Sequence, residues 1–156
     1  MEKLAPVEKV FEAFTALDSG RVEILHNEDS SGEASVWSSD HAKRYTVRWD
    51  GSLVYSDDNS TYWRGYAGYP VIAVLMKRGV IKYDADVASE FSGVNWKELN
   101  TRYRNDYAKA VAEVINQRHI NPSRAYDAAA HVMKQLADLP IEITRKRLKH
   151  TDKITK

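Results

Sequence analysis

The hydrophobic pattern of this 156-residue chain changes period at one place, the run Tyr62-Trp63-Arg64-Gly65-Tyr66-Ala67-Gly68-Tyr69-Pro70. Apart from one N-terminal helical stretch, the apolar residues before it alternate in short, turn-bounded segments. After it they recur at helical spacing. Strand-type segments in one block and helix-type segments in another predict an α+β domain.

Residues 6–17 read as an amphipathic helix on Val7, Val10, Phe11, Phe14 and Leu17, and Asp18-Ser19-Gly20 stops it. Residues 21–26 and 34–38 are short apolar-rich runs on either side of a loop over 27–32. In residues 44–49, Tyr45, Val47 and Trp49 alternate with Arg44, Thr46 and Arg48, giving one greasy and one basic face. Asp50-Gly51 then leads into Leu53-Val54-Tyr55. That dipeptide is a hairpin signal, because Gly accepts the positive φ of a tight turn. Asp57-Asp58-Asn59-Ser60 reads as a further turn.

Residues 70–78, with Pro first, cations last and Gly79 beyond, predict a helix apolar nearly all round, hence buried; a buried strand is the competing reading. A short helix capped by Asp84 or Asp86 reaches Phe91. From Asn95, a single long helix is expected on the stripe Trp96, Leu99, Tyr103, Tyr107, Ala110, Val111, Val114 and Ile115. Asn121-Pro122 opens the last helix, whose stripe ends at Leu136. The expectation is one domain over 1–140: an N-terminal helix, a three- or four-stranded antiparallel meander, then three or four helices on one sheet face. Residues 141–156 form a basic tail.

Charge is segregated along the chain. Residues 1–60 carry 6 Lys/Arg against 12 Asp/Glu, a net of −6, whereas residues 61–156 carry 17 against 10, a net of +7. The overall charge is only +1, so any electrostatic recognition must come from local patches. With no Cys, a disulfide scaffold, a thiolate nucleophile and Cys-ligated zinc are excluded. The apolar runs are too short for a membrane span of roughly 20 residues, and no secretory signal is visible. A cytoplasmic protein is the expectation.

No linear motif carries chemistry. The histidines His26, His41, His119, His131 and His150 lack ligand spacing, so no metal and no cofactor are expected. Gly65 and Gly68 flank Tyr66-Ala67 ahead of a helix, but without a phosphate-binding lysine or dinucleotide fingerprint. Asp57-Asp58 suits turn geometry better than acid–base chemistry.

Three functional readings stay open. The leading one is a non-enzymatic module acting through protein–protein association or homodimerisation, with Trp63, Arg64, Tyr66 and Tyr69 as its surface. The same rings also suit a core corner between sheet and helices. A second reading is nucleic-acid binding through a helix-turn-helix-like segment (86–109) and the tail. Its contacts would be Lys97, Arg102, Arg104, Lys109, Arg145, Lys146 and Arg147. A third is a small enzyme or ligand-binding protein with a pocket at the 62–70 junction, where Arg64, Tyr66, His41 and Asp57 would have to converge.

Overall fold

A computed structural model describes residues 1–148. Lys149, Lys153 and Lys156 of the basic tail lie outside the described residues. The expected α+β order is present: helix α1 (Lys9–Asp18), strands β1 (Val22–Asn27), β2 (Ser31–Trp37), β3 (Arg44–Asp50) and β4 (Leu53–Ser56), then a block of helices. That block is α2 (Asn59–Arg64), α3 (Tyr69–Lys77), α4 (Ala85–Glu90), α5 (Trp96–Arg102), α6 (Tyr107–Arg118) and α7 (Pro122–Asp138), followed by β5 (Glu142–Ile143).

Strands β1 to β4 form the antiparallel meander in sequence order. Asp50-Gly51 closes the β3–β4 hairpin with Gly51 at φ 60°. The alternation of β3 places Val47 and Trp49 in the core, opposite Ala34 and Gly32 of β2. Gly32 is required there, because a Cβ would collide with the Trp49 indole. A fifth strand was not expected. Only two residues long, β5 pairs parallel to β4, with Glu142 N–H donating to Ser52 O at 2.8 Å and Thr144 N–H to Val54 O at 2.9 Å. Two residues carry no periodicity, so no sequence pattern marks it.

Helix α3 is the buried helix that residues 70–78 predict, with Pro70 in its first turn and every residue from Pro70 to Met76 buried. It lies between the sheet and α1. Helix α1 differs from the amphipathic reading, because its polar side is buried as well. Lys9, Glu12 and Thr15 are each no more than 6% exposed, beneath α5 and α6.

Four further expectations are corrected. The turn over 57–60 is the cap and first turn of α2: the Asp58 carboxylate accepts from Thr61 N–H at 3.1 Å. The long helix from Asn95 is two helices. Arg104 (φ 52°) and Asn105 (φ 65°) are both left-handed, and Asp106 caps α6 by accepting from Lys109 N–H. Arg, Asn and Asp in succession favour local side-chain and left-handed geometry over helix continuation, and the apolar stripe resumes in phase beyond them. These two changes yield six helices after the meander among the described residues, where three or four were expected. Finally, the basic face of β3, which the alternation would leave to solvent, is covered at Arg48. Arg48 is 5% exposed, 3.4 Å from Glu33, and donates to Leu148 O at 2.8 Å, because the C-terminal segment crosses that side of the sheet.

The core centres on Phe11, which meets Phe14, Phe91 and Tyr126 at ring distances of 6.1, 4.7 and 5.2 Å. It therefore joins α1 to the end of α4 and to α7. Phe11→Ala is expected to lower unfolding free energy by about 3–5 kcal/mol. Urea denaturation monitored by tryptophan fluorescence checks this, and a loss below about 1 kcal/mol would show that Phe11 is not central to the core.

Candidate functional site

The buried polar side of α1 floors a cleft of about 310 Å³. Its walls come from the β2–β3 connection (Ser38, Ser39, Lys43, with Tyr45), the start of α2 (Asp58 to Ser60), Tyr69 of α3, Asn100 of α5 and Tyr107 of α6. This volume falls within the range of small-molecule sites. Lys9 and Glu12, one turn apart on α1, form an ion pair of 3.3 Å with side chains 8% and 7% exposed. The Lys9 ammonium also lies 4.0 Å from the centre of the Tyr107 ring. Asn100 Nδ2 donates a long bond of 3.4 Å to Glu12 Oε2.

Arg21, just before β1, is the other buried cation of the cleft, at 4% exposure. Its Nη1 donates to Trp37 O at 2.5 Å, and its positive charge acts on the Tyr69 hydroxyl, which lines the same cleft. Among the described residues no carboxylate lies within 4.0 Å of it. Lys43 and Lys97 stand on the rim, Lys97 at 3.5 Å from Asp40.

Burial perturbs the titratable groups. Desolvation raises the Glu12 carboxyl, and Lys9, Asn100 and Arg21 only partly offset it. Lys9 loses solvation too, but Glu12 and Tyr107 together hold its ammonium above the ordinary lysine value. Desolvation also raises Asp58, despite its bonds from Ser56 and Thr61, and raises Tyr45 and Tyr69, both of which feel the Glu12 charge. Asp40, on the surface, is lowered to about 2 by the Ala42 N–H and the Ser38 hydroxyl.

The residues expected from the 62–70 run part company. Tyr66 is 9% exposed, Tyr69 lines the cleft, and Trp63, 64% exposed, and Arg64 face solvent. His41 stacks on Trp37 and Asp57 accepts from Thr46 N–H, so the grouping of Arg64, Tyr66, His41 and Asp57 does not form the cleft. The helix-turn-helix outline changes with the α5–α6 break: Lys97 and Arg102 are on α5, Arg104 in the turn and Lys109 on α6. Lys97, Arg102 and Lys109 each face a carboxylate, at 3.5, 2.9 and 4.0 Å. Arg145 donates to Tyr62 O and Trp63 O at the end of α2, while Lys146 and Arg147 are exposed. The sequence reading gave no site role to Lys9, Glu12, Arg21 or Asn100, and it placed Tyr107 on an apolar stripe. The available signal was Lys9 and Glu12 at one-turn spacing, which on an isolated helix describes a solvated pair.

Among the described residues no cluster of three His, Asp or Glu side chains is placed to hold a metal ion, and no helix is long and apolar enough to cross a membrane.

The Glu12 shift has a consequence for stability. Its folded value lies above the ordinary 4.5, so the folded chain binds more protons than the unfolded chain as pH rises from there. Stability attributable to Glu12 therefore falls with rising pH through that window, and Asp58 contributes a slope of the same sign. Urea unfolding at steps from about pH 4 to 8 is expected to show Glu12→Gln gaining on the parent protein as pH rises. Parallel pH profiles for the two would refute the raised carboxyl.

Every residue named in the cleft lies within the span 2–142 that the model of a known family matches, the family described as Uncharacterised conserved protein UCP014422. Neither the curated proteins nor the solved structures contain a match to the chain. With most of its length covered, the chain belongs to the UCP014422 family of uncharacterised conserved proteins.

Proposed function

We propose that the protein binds a compact anionic small molecule in the cleft beside α1. The observation that carries this reading is Arg21, a guanidinium buried in the cleft wall with no carboxylate partner among the described residues. Its charge is only partly offset, by the Trp37 carbonyl and by Glu12 at longer range, and a ligand carboxylate or phosphate is the group that completes the compensation best, accepting the paired N–H bonds that guanidinium offers.

The lining adds to this. It holds four cations (Lys9, Arg21, Lys43, Lys97) against two carboxylates (Glu12, Asp58). Glu12 is engaged by Lys9, and Lys97 by Asp40 on the rim, which leaves Arg21 and Lys43 against Asp58, a net positive remainder. Low-dielectric walls concentrate that field on a small volume. The hydroxyls of Tyr45 and Tyr69 supply further donors near Arg21.

Titrating the isotope-labelled protein with sulfate, phosphate and citrate, followed by amide shifts, tests the proposal. Saturable shifts are expected at Arg21, Lys43 and Tyr69. Lys43→Ala, on an exposed side chain, is expected to weaken binding by about 2- to 5-fold, the effect of one rim charge. Arg21→Lys, which keeps the charge but loses the fork, is expected to weaken it by about tenfold or more. Absence of saturable shifts at millimolar anion, or shifts centred elsewhere, would end the proposal.

A second reading, association with another copy or a partner protein, is favoured by Trp63. It is 64% exposed, beside exposed Arg64, and Arg145 sits 5.4 Å from its ring centre. Aromatic and arginine side chains dominate contact hot spots. Sedimentation velocity from low to high micromolar protein decides it: association that Trp63→Ser abolishes is expected, and a strict monomer throughout removes self-association.

A further inference from the structure

The cleft that attracts an anion also contains a carboxylate in its floor. Two lining carboxylates oppose an incoming anion, and they are not equivalent. Asp58 is fixed by the backbone N–H of Thr61 at 3.1 Å and by the Ser56 hydroxyl, donors that stay in place when the cleft fills. Glu12 depends on Lys9 at 3.3 Å and on a long 3.4 Å bond from Asn100. Lys9 is itself a lining residue. An anion entering beside it competes with Glu12 for the same ammonium. The carboxylate would then be buried between an anion and a weakened partner, which is unfavourable unless it becomes neutral.

Resting on the anion-binding reading, we infer that binding in this cleft is proton-coupled: as the anion enters, Glu12 takes up one proton from solvent and donates it as a hydrogen bond to the bound oxyanion. The bond formed is Glu12 O–H, the proton comes from water or buffer, and the ligand keeps its own charge and bonds. A neutral Glu12 converts the one repulsive group of the floor into a donor. The desolvation that already raises this carboxyl lowers the barrier to that change. The groups facing Glu12 do not mimic the effect at neutral pH. Lys9 on α1 and Arg21 before β1 are cations there. Tyr45 on β3 and Tyr69 on α3 are raised above their ordinary values, Tyr107 on α6 is tied to Lys9, and α5 contributes the non-titrating Asn100. Asp58 across the cleft is raised as well, and the Glu12 variant separates the two.

Sulfate is the probe, since it does not titrate near neutrality. Calorimetry on the full chain at one pH, in two buffers of different ionisation enthalpy, reads proton uptake directly. The parent protein is expected to give binding heats that differ between buffers, corresponding to uptake of up to one proton. Its affinity is expected to rise as pH falls, by up to tenfold per unit. Glu12→Gln is expected to bind sulfate with the same heat in both buffers and without that pH slope. The carboxyl carbon shift of Glu12, followed by NMR with and without sulfate, is expected to show a higher midpoint with sulfate bound, a measurement that needs no variant. Sulfate binding with equal heats in the parent protein overturns proton coupling and leaves the anion site standing. Uptake that persists in Glu12→Gln assigns it elsewhere and overturns the role of Glu12. No sulfate binding at any pH overturns this inference together with the anion site beneath it.

Discussion

Helix α1 is buried on every side from Lys9 to Ala16, and this forces Lys9, Glu12 and Thr15 to find partners inside the protein. Thr15 shows the constraint most simply. Its hydroxyl donates to Phe91 O at 2.7 Å and accepts from the Trp96 indole N–H at 2.8 Å. One small side chain thus ties the central helix to the end of α4 and the start of α5, and it satisfies the one polar atom of a tryptophan that is 3% exposed. With Trp96 held there, α5 begins over the polar side of α1 and brings Asn100 down onto Glu12.

The corner between α5 and α6 follows from the same constraint. A continuous helix from Asn95 would carry its later residues straight past α1. The turn at Arg104 and Asn105 instead redirects the chain so that Tyr107, at the start of α6, lies against the Lys9 ammonium. The cleft is therefore not a gap left by imperfect packing. Its floor consists of charges that α1 could not leave in water and that the following helices cover only in part. Such partly compensated groups have shifted proton affinities, and concentrations of them mark functional sites more often than chance.

The sequence disclosed the elements whose burial is one-sided or complete over many residues. The β3 alternation, the Asp50-Gly51 turn and the run from Pro70 to Met76 each have a local cause that survives folding. Strand β5, the covering of Arg48 and the cleft had nonlocal causes. Strand β5 exists because a two-residue segment returns to the open edge of β4. Arg48 leaves the wet face because residue 148, one hundred positions away, covers it. The cleft was hidden for the same reason. Lys9 and Glu12 look like a solvated pair until α5 and α6 are laid over them, and no spacing links them to Arg21 or Tyr69. The α5–α6 break had a local cue in Arg104-Asn105-Asp106, but the apolar stripe keeps its helical phase across the break and outweighs the cue.

The run at which the period changes connects the sheet to the cleft, and its glycines explain how. At Gly68 an added Cβ would stand 2.5 Å from Asp58 Oδ2 and 2.9 Å from Thr61 Oγ1, so only glycine lets the chain pass this close to the α2 cap. Its N–H donates to the Thr61 hydroxyl at 2.9 Å, which locks the passing backbone to that cap. Asp58 thus serves two roles from one position: it starts α2 and, through the close approach of Gly68, sets where α3 begins. Tyr69 is the first residue of α3 and lines the cleft together with Arg21 as a result. Trp63 and Tyr66 have no such tether to the cap. One ends up in solvent and the other buried. Of the four surface residues expected from this run, only Tyr69 reaches the charged floor of α1.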